Sequence, residues 1–450
     1  MECEVAARPY DPRVVTSLPR DGGVLFVARF LRLFGYGLIS IILVLYLAEL
    51  GLPEPKIGLL LTLTLVGDTA ISLWLSTRAD RAGRKRMLVV GALLLTAAGV
   101  VFGLTQAYWL LLLAATFGVI SPSGNEVGPF LSIEQAALSH IVPGEDRTAV
   151  FAWYHLVGAI ATALGALVGG GAVDLLQWSG WSPLHSFRAV IAAYAGLGLV
   201  LAGLFARLTP AVEPPPAGLL KRPVLLGLHQ SKRVVLKLSS LFAIDAFAGG
   251  FVVQSIAAYW FHLRFAVPAS ALGAIFFAAN LLAGLSALAA APLASRIGLI
   301  RTMVFTHVPS NILLMLVPLM PSLKLAITVF LLRFSISQMD VPTRQSYVMA
   351  VVAPDERSAA SGVTGVARTA GAAISPSLAG MLLAVPGLIG IPFLLAGGLK
   401  VIYDVLLWRS FDAVRPAEER RALIDVGRSD PAATVRRQAE SRAAAGEPLA

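Results

Sequence analysis

The stretch from Val24 to Leu50, VLFVARFLRLFGYGLISIILVLYLAEL, is long and apolar enough to cross a membrane. The hydrocarbon core of a bilayer requires about 20 predominantly apolar residues in a helix. A second run of this kind extends from Ile57 to Leu75. Because lipid offers no hydrogen-bond partners to a polypeptide backbone, each run is expected to be a helix. The sequence therefore predicts an α-helical membrane protein.

The overall composition favours the same class. Of the 450 residues, 57% are hydrophobic and 14% are charged, whereas soluble domains average about 45–50% apolar and about 25% charged residues. The net charge of +10 would also suit a nucleic-acid-binding protein. The basic residues, however, fall mainly in alternate connections between the apolar runs, where they face anionic lipid. We therefore expect a lipid bilayer as partner and no nucleic acid.

Twelve membrane spans are predicted from the apolar runs. They cover approximately residues 24–49, 57–77, 87–105, 109–136, 148–172, 187–207, 237–261, 271–294, 301–320, 323–348, 358–385 and 388–409. The even-numbered connections and the two ends hold most of the positive charge. By the positive-inside rule, both termini are expected in the cytoplasm, and the cell membrane is the default location for such a carrier.

The chain is expected to divide into two halves. Residues 1–22 form a cytoplasmic N-terminal segment, 23–207 a first six-helix bundle, 208–236 a cytoplasmic linker, 237–410 a second six-helix bundle, and 411–450 a tail expected to be disordered. A shift of 210 residues places IVPGEDRTA (141–149) opposite VVAPDERSA (351–359), with one residue gapped, and GALVGG (165–170) opposite SPSLAG (375–380). The fold class is thus an all-α membrane protein with twelve transmembrane helices in two pseudo-symmetric bundles.

The connection between spans two and three reads STRADRAGRKR (76–86). Its glycine permits a tight turn and its basic residues favour the cytoplasmic side. This segment resembles the conserved loop of the major facilitator superfamily, G-x-x-x-D-R-x-G-R-K, with Ser76 where the family has glycine. The positions that match are Asp80, Arg81, Gly83, Arg84 and Lys85. The resemblance covers about Val24 to Ser410 and implies the major facilitator fold, transport by alternating access and a monomer.

Two further features concern this resemblance. Glu134, at the cytoplasmic end of span four, is expected to pair with Arg84 or Arg81 and to hold an inward gate shut. GALVGG resembles the G-P-x-x-G-G element of drug/proton antiporters, with Ala166 in place of proline. Alternatively, these small residues only allow helices to approach closely. The motif residues are Gly165, Gly169 and Gly170 in span five and their repeat partners Pro376 and Gly380 in span eleven.

Ionisable side chains within the spans are the candidates for function, because a charge at membrane depth costs at least about 2.5–3.5 kcal/mol on insertion scales. The resemblance implies that spans one, four, seven and ten line a central cavity. The candidates for proton coupling or substrate binding are Glu126, Asp245, Asp340, Arg333, Asp68, Gln254, Arg29 and Arg32.

Several of these candidates have an alternative structural role. Asp340 is four residues before Arg344, so the two side chains are expected to pair, and Asp340 is either a coupling residue or a structural partner. Asp245 is expected close to the cytoplasmic end of its span, where water reaches it. Asp68 is placed by the resemblance at the interface between the halves, as a gating or packing group. Glu126 follows Pro122 and Gly124, where the helix is expected to kink.

The leading functional prediction is proton-coupled efflux of a small lipophilic or amphipathic compound by alternating access. One alternative is a carrier of an anionic metabolite or oxyanion, including a metalloid oxyanion. Another is a receptor that has a transporter fold but does not transport. The sequence offers no combination of residues typical of an enzyme, and no cofactor is expected. Cys3 is the only cysteine in the sequence, and neither His155 nor His307 has a second histidine or cysteine at ligand spacing, so no metal site is expected.

Overall fold

The computed structural model describes residues 18–124, 129–143, 146–213, 229–353 and 356–412. Glu126 lies outside the described residues. The side chains of Asp80 and Arg81 are also outside the description, so their part in a gate stays a prediction. The predicted tail from residue 413 onward, most of the linker and most of the N-terminal segment lie outside these ranges as well.

The described residues form α-helices, which are grouped here into twelve passages numbered as the twelve predicted spans. Ten helical segments are long and apolar enough to span a membrane, and passages four and ten each consist of two short helices. The helices in chain order are α1 (Arg20–Glu49), α2 (Glu54–Ala82), α3 (Arg84–Leu104), α4 (Tyr108–Phe117), α5 (Phe130–Ile141), α6 (Arg147–Trp178), α7 (Pro183–Ala206), α8 (Lys232–Gly250), α9 (Gln254–Phe265), α10 (Ala269–Leu288), α11 (Ala290–Ile297), α12 (Leu299–Leu316), α13 (Leu323–Phe334), α14 (Asp340–Val351), α15 (Arg357–Leu383) and α16 (Ile391–Phe411). The predicted fold class is confirmed.

Passages four (α4 and α5), seven (α8 and α9) and ten (α13 and α14) are interrupted, although each was predicted as one continuous helix. In passage four the chain leaves the helical conformation at Gly118 and turns at Pro122, and Gly124 has a φ of +70°. Proline and a glycine with positive φ both end a helix. Passage ten turns over residues 335–339, which include neither glycine nor proline. Apolar content alone could not reveal these interruptions.

Equivalent helices pack together in the two halves. In the first half α1 packs along α6, and α3 along α7. In the second half α8 packs along α15, and α12 along α16. The halves meet where α6 lies against α10 and α2 lies against α15. These pairs occupy corresponding positions in the two halves, as expected for two copies of one six-helix unit.

The two ends of the bundle are named here by their connections. The end at which α3, α6, α8 and α15 begin is called the basic end, since Arg84, Arg147, Lys232 and Arg357 are the first residues of those helices. The other end is called the opposite end.

Glycines bring the halves into close contact at the opposite end. A Cβ atom added at Gly170 of α6 would overlap the carbonyl oxygen of Ala269, and one added at Gly380 of α15 would lie 3.0 Å from the Cα of Gly58. Gly165 and Gly169 face the backbone of α1 equally closely. The small residues of the motif therefore allow five helices, α1, α2, α6, α10 and α15, to pack closely, which is the packing alternative for this motif.

Two glutamates cap the N-termini of helices at the basic end. Glu213 accepts hydrogen bonds from the backbone N–H groups of Arg84 (2.6 Å) and Lys85 (3.1 Å) at the start of α3. Glu356 does the same just before α8, accepting from the backbone N–H groups of His229, Gln230 (2.7 Å) and Ser231 (2.8 Å). A carboxylate at a helix N-terminus satisfies free N–H groups and interacts favourably with the helix dipole.

We expect Glu356→Gln to lower the melting temperature of the protein in detergent at neutral pH. Burial alone would raise the pKa of Glu356, which lies in a connection outside the membrane-spanning segments, but the hydrogen bonds from His229, Ser231 and Gln230 lower it to about 2. Because this pKa is depressed on folding, the carboxylate contributes fully above its unfolded pKa of about 4.3, and the contribution disappears as the pH falls toward 2.

The measurement is the melting temperature of wild type and variant at neutral and acidic pH. The difference between the two proteins should shrink as the pH falls below about 4. Glu49→Gln, which alters an exposed glutamate at the opposite end, is the control and should leave the melting temperature unchanged. A difference of the same size at both pH values would contradict the capping role.

Candidate coupling and substrate sites

A buried group of charged side chains joins five helices of the second half. Its centre is Asp245 of α8, which is only 3% exposed. The members, called the Asp245 network, are Asp245, His307 of α12, Asp340 and Arg344 of α14, Arg368 of α15, and Lys400 and Asp404 of α16.

Asp245 is the acceptor for cations on three other helices. Its Oδ1 lies 2.5 Å from the Nζ of Lys400, and its Oδ2 lies 3.2 Å from Nη1 of Arg368 and 3.4 Å from Nη1 of Arg344. Arg344 also pairs with Asp340 at 2.9 Å. Such buried charges are tolerated only when they are paired and hydrogen-bonded. The expected pairing of Asp340 with Arg344 is present, so Asp340 has a structural partner.

His307 extends the network to α16. Its Nδ1 is 2.8 Å from Oδ1 of Asp404, and its Nε2 is 3.9 Å from Oδ1 of Asp245. The second oxygen of Asp404 accepts a hydrogen bond of 3.1 Å from Asn311. The imidazole therefore lies between two buried carboxylates that belong to different helices.

The network is electrically balanced and has one exposed member. Three carboxylates face three cations, and the imidazole supplies no charge while it is neutral. The side chain of Arg368 is 34% exposed, whereas those of the two other cations are 11% exposed or less. Arg368 is therefore the most exposed cation of the network.

The expectation that Asp245 lies near water at the cytoplasmic end is wrong. Helix α8 begins at Lys232, five residues before the predicted boundary at 237, so Asp245 lies 13 residues from the start of its helix. Surrounding side chains bury it almost completely. Sequence reasoning also missed Lys400 and Asp404, although two charges four residues apart within the predicted span 388–409 were a usable signal.

Arg333 lies outside the Asp245 network as defined. Its guanidinium carbon is 4.7 Å from the centre of the Phe334 ring. The turn at residues 335–339 breaks passage ten, so Arg333 and Asp340 lie on two different helices. Within the described residues, the buried Nε of Arg333 has no hydrogen-bond acceptor.

A smaller ionic cluster lies in the first half. Arg32 forms a bidentate pair with Glu134, with Nη1–Oε1 at 2.5 Å and Nη2–Oε2 at 2.8 Å. The Tyr154 hydroxyl also donates to Glu134. Arg29 lies over the Tyr154 ring at 4.1 Å and donates to the Tyr154 carbonyl at 2.6 Å.

Glu134 therefore pairs with Arg32 and not with Arg84. A pairing with Arg81 stays a prediction, because the side chain of Arg81 lies outside the described residues. Glu134 is fully buried on the face of α5 that meets α1. Arg84 instead donates to the carbonyl oxygens of Ala136 (3.2 Å) and Val212 (3.1 Å). Glu134 thus belongs to the interior of the first half and not to the loop motif.

The halves are linked through Gln254, at the start of α9. Its Nε2 donates to the hydroxyl of Ser40 in α1 at 2.8 Å, and its Oε1 accepts from Asn280 in α10 at 3.2 Å. The backbone N–H of Ser255 donates to the carbonyl of Pro122 at 3.0 Å. The interruptions of passages four and seven therefore free backbone groups that connect the two halves.

Polar contacts also join the halves near the opposite end. The Tyr259 hydroxyl donates to Glu54 at 3.0 Å, and the Ser377 hydroxyl donates to Thr62 at 2.8 Å. Together with the glycine contacts, these bonds close the opposite end. Asp68, further along α2, accepts a hydrogen bond of 3.3 Å from Ser72; it belongs to the other half from the Asp245 network. Among the described residues, no group of three or more metal-ligating side chains is arranged to hold a metal ion.

Comparison with known proteins gives a consistent classification. A sequence profile of the Major Facilitator Superfamily matches residues 25–376. An uncharacterized membrane protein of Saccharomyces cerevisiae, YJR124C, is 31% identical over 86% of this chain and 93% of its own length. A bacterial homolog of the human lysosomal transporter Spinster, solved in an inward-facing and occupied conformation, has a TM-score of 0.69 and 15% identity over 88% of this chain and 97% of that chain.

Two bacterial relatives match a shorter part of the chain. A Na(+), Li(+), K(+)/H(+) antiporter of Planococcus maritimus is 29% identical over 32% of this chain and 34% of its own length. The quinolone resistance protein NorA of Staphylococcus aureus is 26% identical over 33% of this chain and 37% of its own length. Each of these matches spans about a third of both chains.

Proposed function

We propose, on the premise that this chain belongs to the major facilitator superfamily of transporters, that it is a proton-coupled exporter of a small lipophilic or amphipathic cation. The protein is a transporter and not an enzyme. In the proposed orientation the basic end faces the cytoplasm of a cell membrane, as the positive-inside rule suggests. The expected partners are the substrate, protons and the bilayer, and the expected state is a monomer.

The observation that carries this proposal is the Asp245 network. It is buried and balanced in charge, and Arg368 is partly exposed. A proton added to the network creates a net positive charge in a medium of low dielectric constant, which is costly. A cationic substrate beside Arg368 would add the same cost. The proton and the substrate cation therefore exclude one another, which is the condition for antiport.

The relatives support proton exchange and efflux. One is named as an antiporter of alkali cations and protons, and the other as a quinolone resistance protein. Of the carboxylates named as coupling candidates from the sequence, Asp245 and Asp340 belong to the Asp245 network, and Glu126 lies outside the described residues. The cycle that we propose alternates between the state closed at the opposite end and a state open there, with release of substrate from the second state.

Transport of an anion is the second candidate function. Two observations favour it. Arg368 exposes about a third of its side chain, and within the described part of the chain the buried Nε of Arg333 has no acceptor. A carboxylate or oxyanion substrate could compete with Asp245 for Arg368, because planar guanidinium groups bind such anions in a bidentate manner.

The test uses purified protein in vesicles that contain a pH-sensitive dye and are more acidic inside than outside. An added lipophilic cation should raise the internal pH, because protons leave as the cation enters. Vesicles without protein give the background change in internal pH, which is subtracted from the response of vesicles that contain the protein. Organic anions and oxyanions are tested in the same way with wild type and with Arg368→Gln.

Each outcome separates the candidates. A rise in internal pH with cations supports the antiporter. Uptake restricted to anions and lost in Arg368→Gln would replace it with the second candidate. Transport of cations without proton movement would contradict proton coupling.

A further inference from the structure

The geometry points to His307, on the helix of passage nine, as the residue that binds the coupled proton, with Asp404 fixing its orientation. This inference rests on the proposed proton-coupled transport and assigns its proton to one side chain. The starting observation is that each carboxylate of the Asp245 network is already held by donors. Asp245 faces three cations, Asp340 faces Arg344, and Asp404 accepts from His307 and Asn311.

A proton on one of these carboxylates would remove the ionic contacts that stabilise the buried carboxylate. A neutral acid at Asp245, for example, would leave Lys400, Arg368 and Arg344 facing a group without charge. Removing one partner of a buried ion pair is strongly unfavourable, because the remaining charge has no compensation. The carboxylates therefore serve as fixed anions, and the proton must bind elsewhere.

His307 provides the free acceptor. When Asp404 is ionised, its oxygen 2.8 Å from Nδ1 can only accept a hydrogen bond, so Nδ1 then carries the hydrogen atom. In the neutral imidazole the other nitrogen, Nε2, then presents a lone pair, 3.9 Å from Oδ1 of Asp245. Nε2 can therefore accept a proton from water and return it without any change to the bond with Asp404.

The charged and titratable groups around the ring come from several helices. Asp404, Lys400 and Tyr403 approach from α16, with the Tyr403 ring centre 6.0 Å away. Asp245 approaches from α8 and in turn binds Arg344 of α14 and Arg368 of α15. The two carboxylates flank the ring, so the imidazolium would have an anion on each side.

Protonation of Nε2 affects the exposed cation, Arg368, through Asp245. The new N–H group attracts Asp245, which must move about 1 Å closer to form a hydrogen bond. The longer contacts of Asp245, those to Arg368 and Arg344, weaken first. Arg368 is then released toward the surface that a substrate can reach, and its charge repels a cationic substrate. Proton binding at His307 is thereby linked to substrate release.

The test compares His307→Asn with wild type in reconstituted vesicles. The amide of asparagine can replace the Nδ1–H donor to Asp404 but has no group that binds a proton. Two rates are measured: cation-driven proton movement, and proton-independent exchange of labelled for unlabelled cation at equal pH. We expect the variant to lose the proton movement and to keep the exchange. The affinity of wild type for the cation should fall as the pH decreases, and that of the variant should stay constant.

His262→Asn is the matched control. His262 also donates from Nδ1 to an oxygen, the carbonyl of Val267 at 3.0 Å, but it lies outside the Asp245 network, and this variant should behave as wild type. Proton movement retained in His307→Asn would overturn the assignment while leaving the proposed function intact. Loss of exchange together with proton movement would also overturn it, because the imidazole would then be required for binding or folding. Absence of proton movement in wild type would instead reject the proposed function.

Discussion

Asp245→Ala is expected to destabilise the protein by about 3–5 kcal/mol and to abolish transport. This is the range for breaking a buried ion pair by removing one partner. Lys400, Arg368 and Arg344 all direct a nitrogen at this one carboxylate. Thermal or denaturant unfolding in detergent measures the loss of stability, and the vesicle assay measures transport.

A compensating substitution separates the structural role of Asp245 from its functional role. Asp245→Asn combined with Lys400→Met removes one negative and one positive charge and leaves the network balanced. We expect the double variant to recover most of the stability that Asp245→Asn loses, since it removes the cation nearest to Asp245. Transport should remain absent, because Arg368 no longer has the carboxylate that holds it.

The control is Asp412→Asn, which removes a carboxylate from the exposed pair with Arg301 at 3.4 Å. Exposed pairs contribute at most about 1 kcal/mol, so this variant should retain stability and transport. Full transport by the double variant would show that Asp245 serves only to neutralise Lys400. A stability of Asp245→Ala equal to that of wild type would contradict the ionic contacts themselves.

Much of the fold could be predicted from the sequence because the bilayer restricts the possible structures. Long apolar runs must form helices, and segments such as Val24 to Leu50 allow no other interpretation. The interruptions of passages seven and ten could not be predicted in this way, because an apolar segment has the same composition whether or not it is broken. Local signals were present in passage four, at Pro122 and Gly124, and in passage seven, where the first helix ends at Gly249 and Gly250.

The candidate site was partly predictable for a different reason. The energetic cost of a charge at membrane depth identified Asp245 and Asp340 as candidates, and the spacing of four residues predicted the pair of Asp340 with Arg344. Spacing within one helix cannot show that side chains on different helices meet. His307 and Lys400 both contact Asp245, yet each is far from it in sequence.

The same limitation explains the error at Glu134. Arg84 and Arg81 were the nearest cations at the same end of the bundle, so they were the natural partners by position along the membrane. Arg32, in contrast, is 102 residues away. The partner of Glu134 depends on the direction in which its face of α5 points. The rotation of this twelve-residue helix about its axis could not be deduced from its sequence.

Cross-linking the opposite end is expected to stop transport almost completely. The variant carries Thr62→Cys and Ser377→Cys in a Cys3→Ser background, so that the two new thiols are the only ones in the chain. The native hydroxyl oxygens are 2.8 Å apart, which brings the two side chains close enough for a disulfide. Because α2 and α15 belong to different halves, the bond would hold the opposite end closed while the basic end stays free to move.

Transport is measured before oxidation, after oxidation and after reduction. We expect normal transport, then loss of most of the rate, then recovery, while either single cysteine variant transports under all three conditions. If the oxidised double variant transports at the wild-type rate, the contact between α2 and α15 does not open during the cycle. The closed opposite end would then be a fixed part of the fold, and substrate would have to leave by a path other than the one between the two halves.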